Sequence, residues 1–333
     1  MKKILLAALS LVFVLTGCSS DSDVKEIDTL NVSFVPSAPA DEILKATEPL
    51  EGMLKEEMSK QGFTVNNVNI TVGTSYEAVG EALTAGTTDI ALIPGGTYVL
   101  YEDDGAVLAL TATRDALSVN TDVPADWNAA PTEYTEDQAT FYRSLIVAGP
   151  SKKGQELQDK VDAGTELTFE DLSDATWCVQ SPSSSAGYLY PTLWLSKNYD
   201  GKTINDLPNK TEIKGYGEAA SRLSTEQCDI APMYADARMD NGASWSSDKD
   251  IFEATGVIGV TDGIMNDTIS VSSNSDVYSE DFLKAVQESF LAIAATEEGL
   301  KTVEPYSHKG YEIGDPKNYD DERKVQEEVI ANL

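Results

Sequence analysis

Three turns in the sequence concentrate hydroxyl groups and glycine where a strand-like run gives way to a helix-like one. They are Val35-Pro36-Ser37-Ala38, Pro94-Gly95-Gly96-Thr97-Tyr98 and Gln180-Ser181-Pro182-Ser183-Ser184-Ser185-Ala186-Gly187-Tyr188. A fourth helix start, Gly73-Thr74-Ser75-Tyr76, is similar. A helix N-terminus offers unpaired N–H groups and about half a positive charge. Serine and threonine hydroxyls add donors. Several such ends converging on one point would hold an anion without any lysine or arginine. Each turn taken singly also reads as an ordinary helix cap. The run Ser183-Ser184-Ser185 exceeds that need, because one hydroxyl suffices for a cap.

An anion site free of basic residues suits the composition. The chain has 333 residues, with 24 Lys+Arg against 56 Asp+Glu, and its net charge is −32. That charge excludes a general nucleic-acid binder, since a phosphate backbone would be repelled. It also disfavours docking on an anionic membrane through a basic patch. The length favours two domains or lobes, and a 41% hydrophobic share is ample for globular cores. A single histidine, His308, makes a histidine metal site or a Ser-His-Asp relay improbable. It lies in the polar turn Tyr306-Ser307-His308-Lys309-Gly310 and reads as a satisfied surface residue. No Gly-x-Ser-x-Gly elbow, P-loop or Cys/His metal spacing is present. No catalytic residue, metal or cofactor is expected.

The elements that must position the turns follow from periodicity. Residues 29–36 alternate as a strand, Asp41–Gln61 reads as a helix that Pro49 should bend or start afresh, and Gly62 is a stop. Val65–Val72 is a strand, Ser75–Ala85 a helix capped by Thr74 or Ser75, and Asp89–Ile93 a strand leading to a helix at Pro94. This alternation predicts an α/β layer with a parallel sheet. Residues 119–136, with two prolines and many polar groups, read as a long surface loop. A second series runs through strands at Tyr142–Val147, Thr176–Gln180, Thr211–Gly215 and Asp229–Met233, with helices at 185–197 and 217–226. Strands at Val257–Thr261 and Thr268–Val271 and helices at Glu280–Ala295 and Tyr319–Ile330 complete the chain. The acidic clusters Glu102-Asp103-Asp104 and Asp320-Asp321-Glu322 read as solvated faces. Two α/β lobes joined by two crossing segments are expected, with lobe 1 at about 29–141 plus 264–333 and lobe 2 at about 142–263. In such sheets ligands sit beyond the carboxyl ends of the strands, at helix N-termini.

The N-terminus reads as a targeting signal. Lys2 and Lys3 precede the apolar run Ile4–Leu15, too short for the ~20 residues of a transmembrane helix. Leu15-Thr16-Gly17-Cys18 resembles the bacterial lipoprotein signal, which implies cleavage before Cys18 and lipid on that residue. Residues 1–17 would then be the signal peptide and 18–28 a lipidated tether, leaving 22 basic against 56 acidic groups, a charge of −34. The expected location is the extracytoplasmic face of the cell membrane, held by the lipid on Cys18. Two cysteines remain, Cys178 and Cys228. An oxidising compartment permits a disulfide between them, and two separate buried thiols fit the sequence equally.

At its turns the chain resembles the substrate-binding lipoproteins of phosphate/phosphite/phosphonate ABC importers, over nearly the whole mature length. The resemblance is carried by Pro36-Ser37, Glu48-Pro49-Leu50, Tyr76-Glu77-Ala78-Val79 through Asp89-Ile90-Ala91, Tyr142-Arg143-Ser144-Leu145-Ile146-Val147, Asp171-Leu172 and Ser183 to Pro191. It implies a type II periplasmic-binding-protein fold: two α/β lobes, a two-segment hinge and a ligand held between them. It further implies that Ser183, Ser184 and Ser185 donate to phosphoryl oxygens, with Ser37, Tyr76 and, less directly, Thr97. Two departures stand out. Tyr216 occupies a position where phosphonate binders often carry histidine. Met233-Tyr234-Ala235-Asp236-Ala237-Arg238 replaces a stretch richer in amides or carboxylates, so Tyr234 and Asp236 are candidates for facing the cleft. The implied partners are a small anionic ligand (phosphonate, phosphite or phosphate), an ABC transporter permease and the membrane through Cys18. No nucleic acid is implied, and the protein is expected to be a monomer. The competing readings are the same fold with another solute (a sulfate-like or nitrate-like anion, or an organic amine), a surface adhesion or structural lipoprotein, and an enzyme.

Overall fold

The computed structural model describes residues 25–329 except Ala38, Ser181 and Ser183. The leader, Cys18 and Ser183 thus lie outside the described residues. Among those described, two sheets form. The first contains β1 (Lys25–Phe34), β2 (Phe63–Val72), β3 (Ile90–Ile93), β4 (Ala106–Leu117) and β5 (Tyr134–Ala139). The second contains β6 (Phe141–Ala148), β7 (Trp177–Val179), β8 (Lys210–Glu212), β9 (Ile230–Tyr234) and β10 (Gly256–Met265). The chain then returns to the first sheet with β11 (Thr268–Ser272) and β12 (Gly310–Ile313). The strand orders are β12-β4-β11-β3-β1-β2, with β5 on β4, and β10-β6-β9-β7-β8.

The start of the chain folds as its pattern demands. β1 runs parallel to β2 and β3. The intervening helices are α1 (Ala40–Thr47) and α2 (Leu50–Lys60), broken at Pro49, then α3 (Tyr76–Thr84). Gly62, at φ 85°, ends the second, a conformation glycine adopts without strain. Ser75 caps α3 by accepting a hydrogen bond from the Ala78 amide at 3.1 Å. α4 (Gly95–Tyr101) follows β3. The second sheet shows period-2 patterning directly. On β6, Leu145 and Val147 point into one core and Ile146 and Ala148 into another, on the opposite face.

Two stretches differ from the sequence reading. β4 is a 12-residue strand that the periodicity leaves unmarked, because threonines take buried positions: Thr111 bonds Tyr319 and Thr113 bonds Gln138. The expected loop over 119–136 contains a short helix (Pro124–Asn128) and the start of β5. Trp127 is buried in the second sheet's core, and its indole N–H donates to the Thr121 carbonyl at 3.0 Å. One large apolar ring therefore pins a segment that its composition marks as surface.

The chain passes between the sheets at β5–β6 and at β10–β11. To these the structure adds a third passage. Tyr319 is buried in the first core, whereas Val325 and Val329, on a turn of π-helix after the helix Asp320–Lys324, are buried in the second. Cys178 and Cys228 form a disulfide with Cα atoms 5.8 Å apart, made feasible by parallel pairing of β7 with β9. Closing a loop with a sequence separation of 50 residues restricts the unfolded chain. Replacing both cysteines by alanine should therefore cost about 2–4 kcal/mol, read from denaturant unfolding under oxidising conditions. An unchanged midpoint would show that the bond does not constrain the unfolded chain.

Candidate functional site

The ends of the elements meet at a cleft of about 690 Å³ between the two sheets, a size typical of small-molecule sites. From the first side come Tyr76 and Glu77 at the start of α3 and Thr97 in α4. From the second come Ser184, Ser185 and Tyr216. Tyr142 of β6, Asp267 at the β10–β11 passage, and Glu322 and Gln326 of the C-terminal segment complete the parts that matter chemically.

The serine turn is held by several local constraints. The Gln180 amide donates to the Gly187 carbonyl at 3.2 Å. A Cβ on Gly187 would lie 2.0 Å from the Gln180 side chain, so only glycine fits this closure. Ser144 of β6, fully buried, donates its hydroxyl to the Ala186 carbonyl at 2.6 Å and ties the turn to the sheet. The Ser184 hydroxyl accepts from the Gly187 amide at 3.1 Å and lies 3.3 Å from the Tyr216 hydroxyl. Ser184 is thus a cap as well as a lining residue. Ser185 begins a turn of π-helix (Ser185–Leu189) that leads into the helix Tyr190–Asn198.

The sequence candidates divide. Tyr76, Thr97, Ser184, Ser185 and Tyr216 line the same cleft. Ser37 is exposed on the turn after β1 and is not among the lining residues. Tyr234 packs edge-on against the Tyr216 ring, centroids 4.7 Å apart, and its hydroxyl donates to Asp240 at 2.9 Å. It therefore supports Tyr216 from behind. Asp236 is buried and committed elsewhere: it accepts from the Arg114 guanidinium at 3.1 Å and the Tyr134 hydroxyl at 3.2 Å. These bonds join β4 and β5 to the end of β9 and so link the two sheets. Burial pushes the Asp236 carboxyl above its ordinary range, against the opposing pull of Arg114.

Two sequence readings need correction. His308 is 4% exposed rather than a surface residue. Its ring nitrogens lie 3.0 Å from the Tyr311 hydroxyl and 3.3 Å from the Asp267 carboxylate, because β12 folds the turn back onto the sheet. Glu322, read as part of a solvated acidic face, is 3% exposed. A helical stripe carries it inward: Tyr319, Glu322, Gln326 and Val329 recur at three- and four-residue spacing. That stripe was the available signal. Asp267 carried no local signal and Tyr142 only that of a strand start, since the passage between sheets brings them to the cleft.

Electrostatically, the cleft lining holds three carboxyl groups, Glu77, Asp267 and Glu322, and no lysine or arginine among the described residues. Burial pushes the phenols of Tyr76, Tyr142 and Tyr216 above their ordinary value. They therefore stay neutral and able to donate. The arrangement can hold a polar solute by uncharged donors and accept hydrogen bonds from a protonated or cationic part of it.

A family model described as the ABC transporter phosphonate periplasmic substrate-binding protein matches residues 32–319. The chain belongs to this family. It is a periplasmic substrate-binding protein of an ABC transporter, a family of transporter proteins rather than enzymes, with a type II periplasmic-binding-protein fold. No curated protein sequence matches it significantly. Solved structures share the fold at low identity. PhnD1 from Prochlorococcus marinus, in complex with methylphosphonate, is 12% identical with a TM-score of 0.58, over 91% of this chain and 98% of that one. XAC2383 from Xanthomonas citri, bound to ATP, is 13% identical with a TM-score of 0.62, over 92% and 98%. The aliphatic sulphonate binding protein SsuA from Escherichia coli is 9% identical with a TM-score of 0.52, over 92% and 93%. No helix among the described residues is long and apolar enough to cross a membrane.

The inter-sheet ion pair generates a stability test. Asp236→Ala leaves the Arg114 guanidinium without its partner and should cost about 3–5 kcal/mol, whereas the double change Arg114→Met with Asp236→Leu should cost far less. Urea unfolding of the two variants is the measurement. Equal losses would show that the pair is not coupled.

Proposed function

We propose that the cleft captures a small phosphorus oxyanion or phosphonate and delivers it to an ABC importer permease. The observation that carries this reading is the convergence of hydroxyl and phenol donors from both sides (Thr97 and Tyr76 opposite Ser184, Ser185 and Tyr216) on one cleft lined, among the described residues, by no basic side chain. A tetrahedral oxyanion presents several acceptor oxygens to such donors, and charge-assisted bonds are the strong ones. The family membership and the methylphosphonate in PhnD1 support the phosphoryl class. Ser183, Ser37, Tyr234 and Asp236 enter this reading differently. Ser183 lies outside the described residues and is kept as a donor on resemblance alone. The other three act at most through neighbours or after closure.

On this reading residues 29–141 with 264–333 form one lobe and 142–263 the other, with the C-terminal turn reaching across. Ligand gripped by both favours the closed arrangement. The protein works as a monomer, tethered by lipid on Cys18 after removal of residues 1–17. A second reading has a specific observation in its favour. The carboxyl groups of Glu77, Asp267 and Glu322 would suit a solute that carries an amine, with or without a phosphoryl group.

Calorimetry with phosphate, phosphite, methylphosphonate and aminoethylphosphonate separates these readings. At least one should bind, and Ser185→Ala should weaken it about ten- to a hundredfold, the loss of one charge-assisted bond of roughly 1.5–3 kcal/mol. Silence with all four alongside a response to a simple organic amine would replace the first reading by the second. For the anchor, Cys18→Ala should abolish labelling by palmitate in cells. Undiminished labelling would remove Cys18 as the lipid site.

A further inference from the structure

The third passage between the sheets carries a carboxyl group into the cleft. Glu322 stands between Tyr319, buried in the first core, and Val325, buried in the second, so the segment that holds it is anchored on both sides. Its own surroundings also come from both sides. Gly96 of α4 is so close that a Cβ there would lie 3.5 Å from a Glu322 oxygen. Gln326, one turn on, donates to the Gly96 carbonyl at 3.2 Å. Tyr190, from the helix Tyr190–Asn198 of the second side, is buried close to the carboxyl, and its hydroxyl has no hydrogen-bond partner among the described residues.

The cations of the helix Asp320–Lys324, and Lys197 beside it, are committed elsewhere. Arg323 binds Glu102 through two bonds, at 2.7 and 2.6 Å, and also Asp320 at 2.8 Å. Lys324 pairs with Asp321 at 2.6 Å, and Lys197 with Asp262 and, at 3.9 Å, Asp321. The groups whose charge or proton bears on Glu322 are thus Tyr190, Asp321, Tyr142 of β6 and Tyr319, and no Glu322 ion pair exists among the described residues. A buried carboxylate without a counter-ion is costly, and the group holds a proton instead.

We propose that Glu322 is a proton-linked specificity residue: the two sides close over the cleft with this carboxyl uncharged, so closure takes up a proton and the closed cleft presents a neutral acid rather than a third negative charge to an anionic ligand. This deepens the phosphorus-oxyanion reading and rests on it for the ligand alone. The geometry of the strap stands without it. Burial raises the carboxyl from its ordinary 4.5 to about 7 in this structure. When the sides separate, water reaches it and the ordinary value returns. The sign follows. Below about pH 4.5 the group is protonated in both arrangements and has no effect. Between about 4.5 and 7 the open form loses its proton first, and closure becomes progressively less favourable. Above 7 the penalty is full and constant.

The test compares the wild type with Glu322→Gln, which keeps the shape of the side chain without a titrating proton. Circular dichroism first checks that the variant folds. Small-angle scattering without ligand should then show the wild type more open at pH 8 than at pH 5, with E322Q unchanged between them. With methylphosphonate, the ratio of wild-type to E322Q affinity should fall about ten- to a hundredfold from pH 5 to pH 8. Taking the ratio cancels the ligand's own titration. Superimposable scattering profiles for the two proteins overturn the proposal, whether or not a probe binds. A pH-dependent difference in scattering with no binding of methylphosphonate, phosphite or phosphate supports the proton link and removes the phosphorus reading. If E322Q weakens aminoethylphosphonate most at high pH, Glu322 is an ionised partner for the ligand amine, and the neutral-acid proposal is overturned.

Discussion

A cleft that offers hydrogen bonds to a polar solute while lacking, among the described residues, any lining lysine or arginine must draw its donors from uncharged groups, and most of the site's construction follows from that constraint. Uncharged donors are individually weak and directional, so they have to be placed well and kept from water. Ser144 therefore anchors the serine turn from beneath, Gly187 lets the turn close on Gln180, and Tyr234 braces Tyr216 edge-on. The raised phenols of Tyr76, Tyr142 and Tyr216 serve the same end. A phenol that never ionises adds no charge to a protein already at −32.

The two sides are joined by more than the two strand passages. Arg114 with Asp236, and Tyr134 with Asp236 and Asp240, tie β4 and β5 to the end of β9. The C-terminal segment ties α4 and the first core to the second core through Arg323–Glu102, Gln326–Gly96, Tyr319 and Val325. Among the described residues, only the C-terminal tie has a side chain in the cleft itself. These polar links add to the covalent passages in holding the two sides together.

The α/β alternation of the first sheet, the break at Pro49, the stop at Gly62 and the cap at Ser75 were all legible in the sequence, because each is a local matter of period, proline or a capping hydroxyl. The serine turn and Tyr76 were legible for the same reason, as helix starts. What escaped depends on contacts distant along the chain. β4 is buried yet rich in threonine, since Thr111 and Thr113 find partners at Tyr319 and Gln138. Trp127 draws a polar loop into a core. Asp267 and Tyr142 reach the cleft only because β6 and β10 cross between sheets. Glu322 was half legible: its stripe with Tyr319 and Val329 shows it facing inward, but three consecutive acids argue for solvent. Asp236 shows the opposite case: in sequence it is a candidate for facing the cleft, and only the fold supplies its partner Arg114.

The dependence of methylphosphonate affinity on ionic strength tests the neutral-donor account most directly. With no basic clamp, and with a strongly negative protein repelling an anion, screening should leave the dissociation constant unchanged or tighten it as salt rises from about 0.05 to 0.5 M. Binding that weakens steeply with added salt, as it does where lysine and arginine hold the ligand, would contradict it.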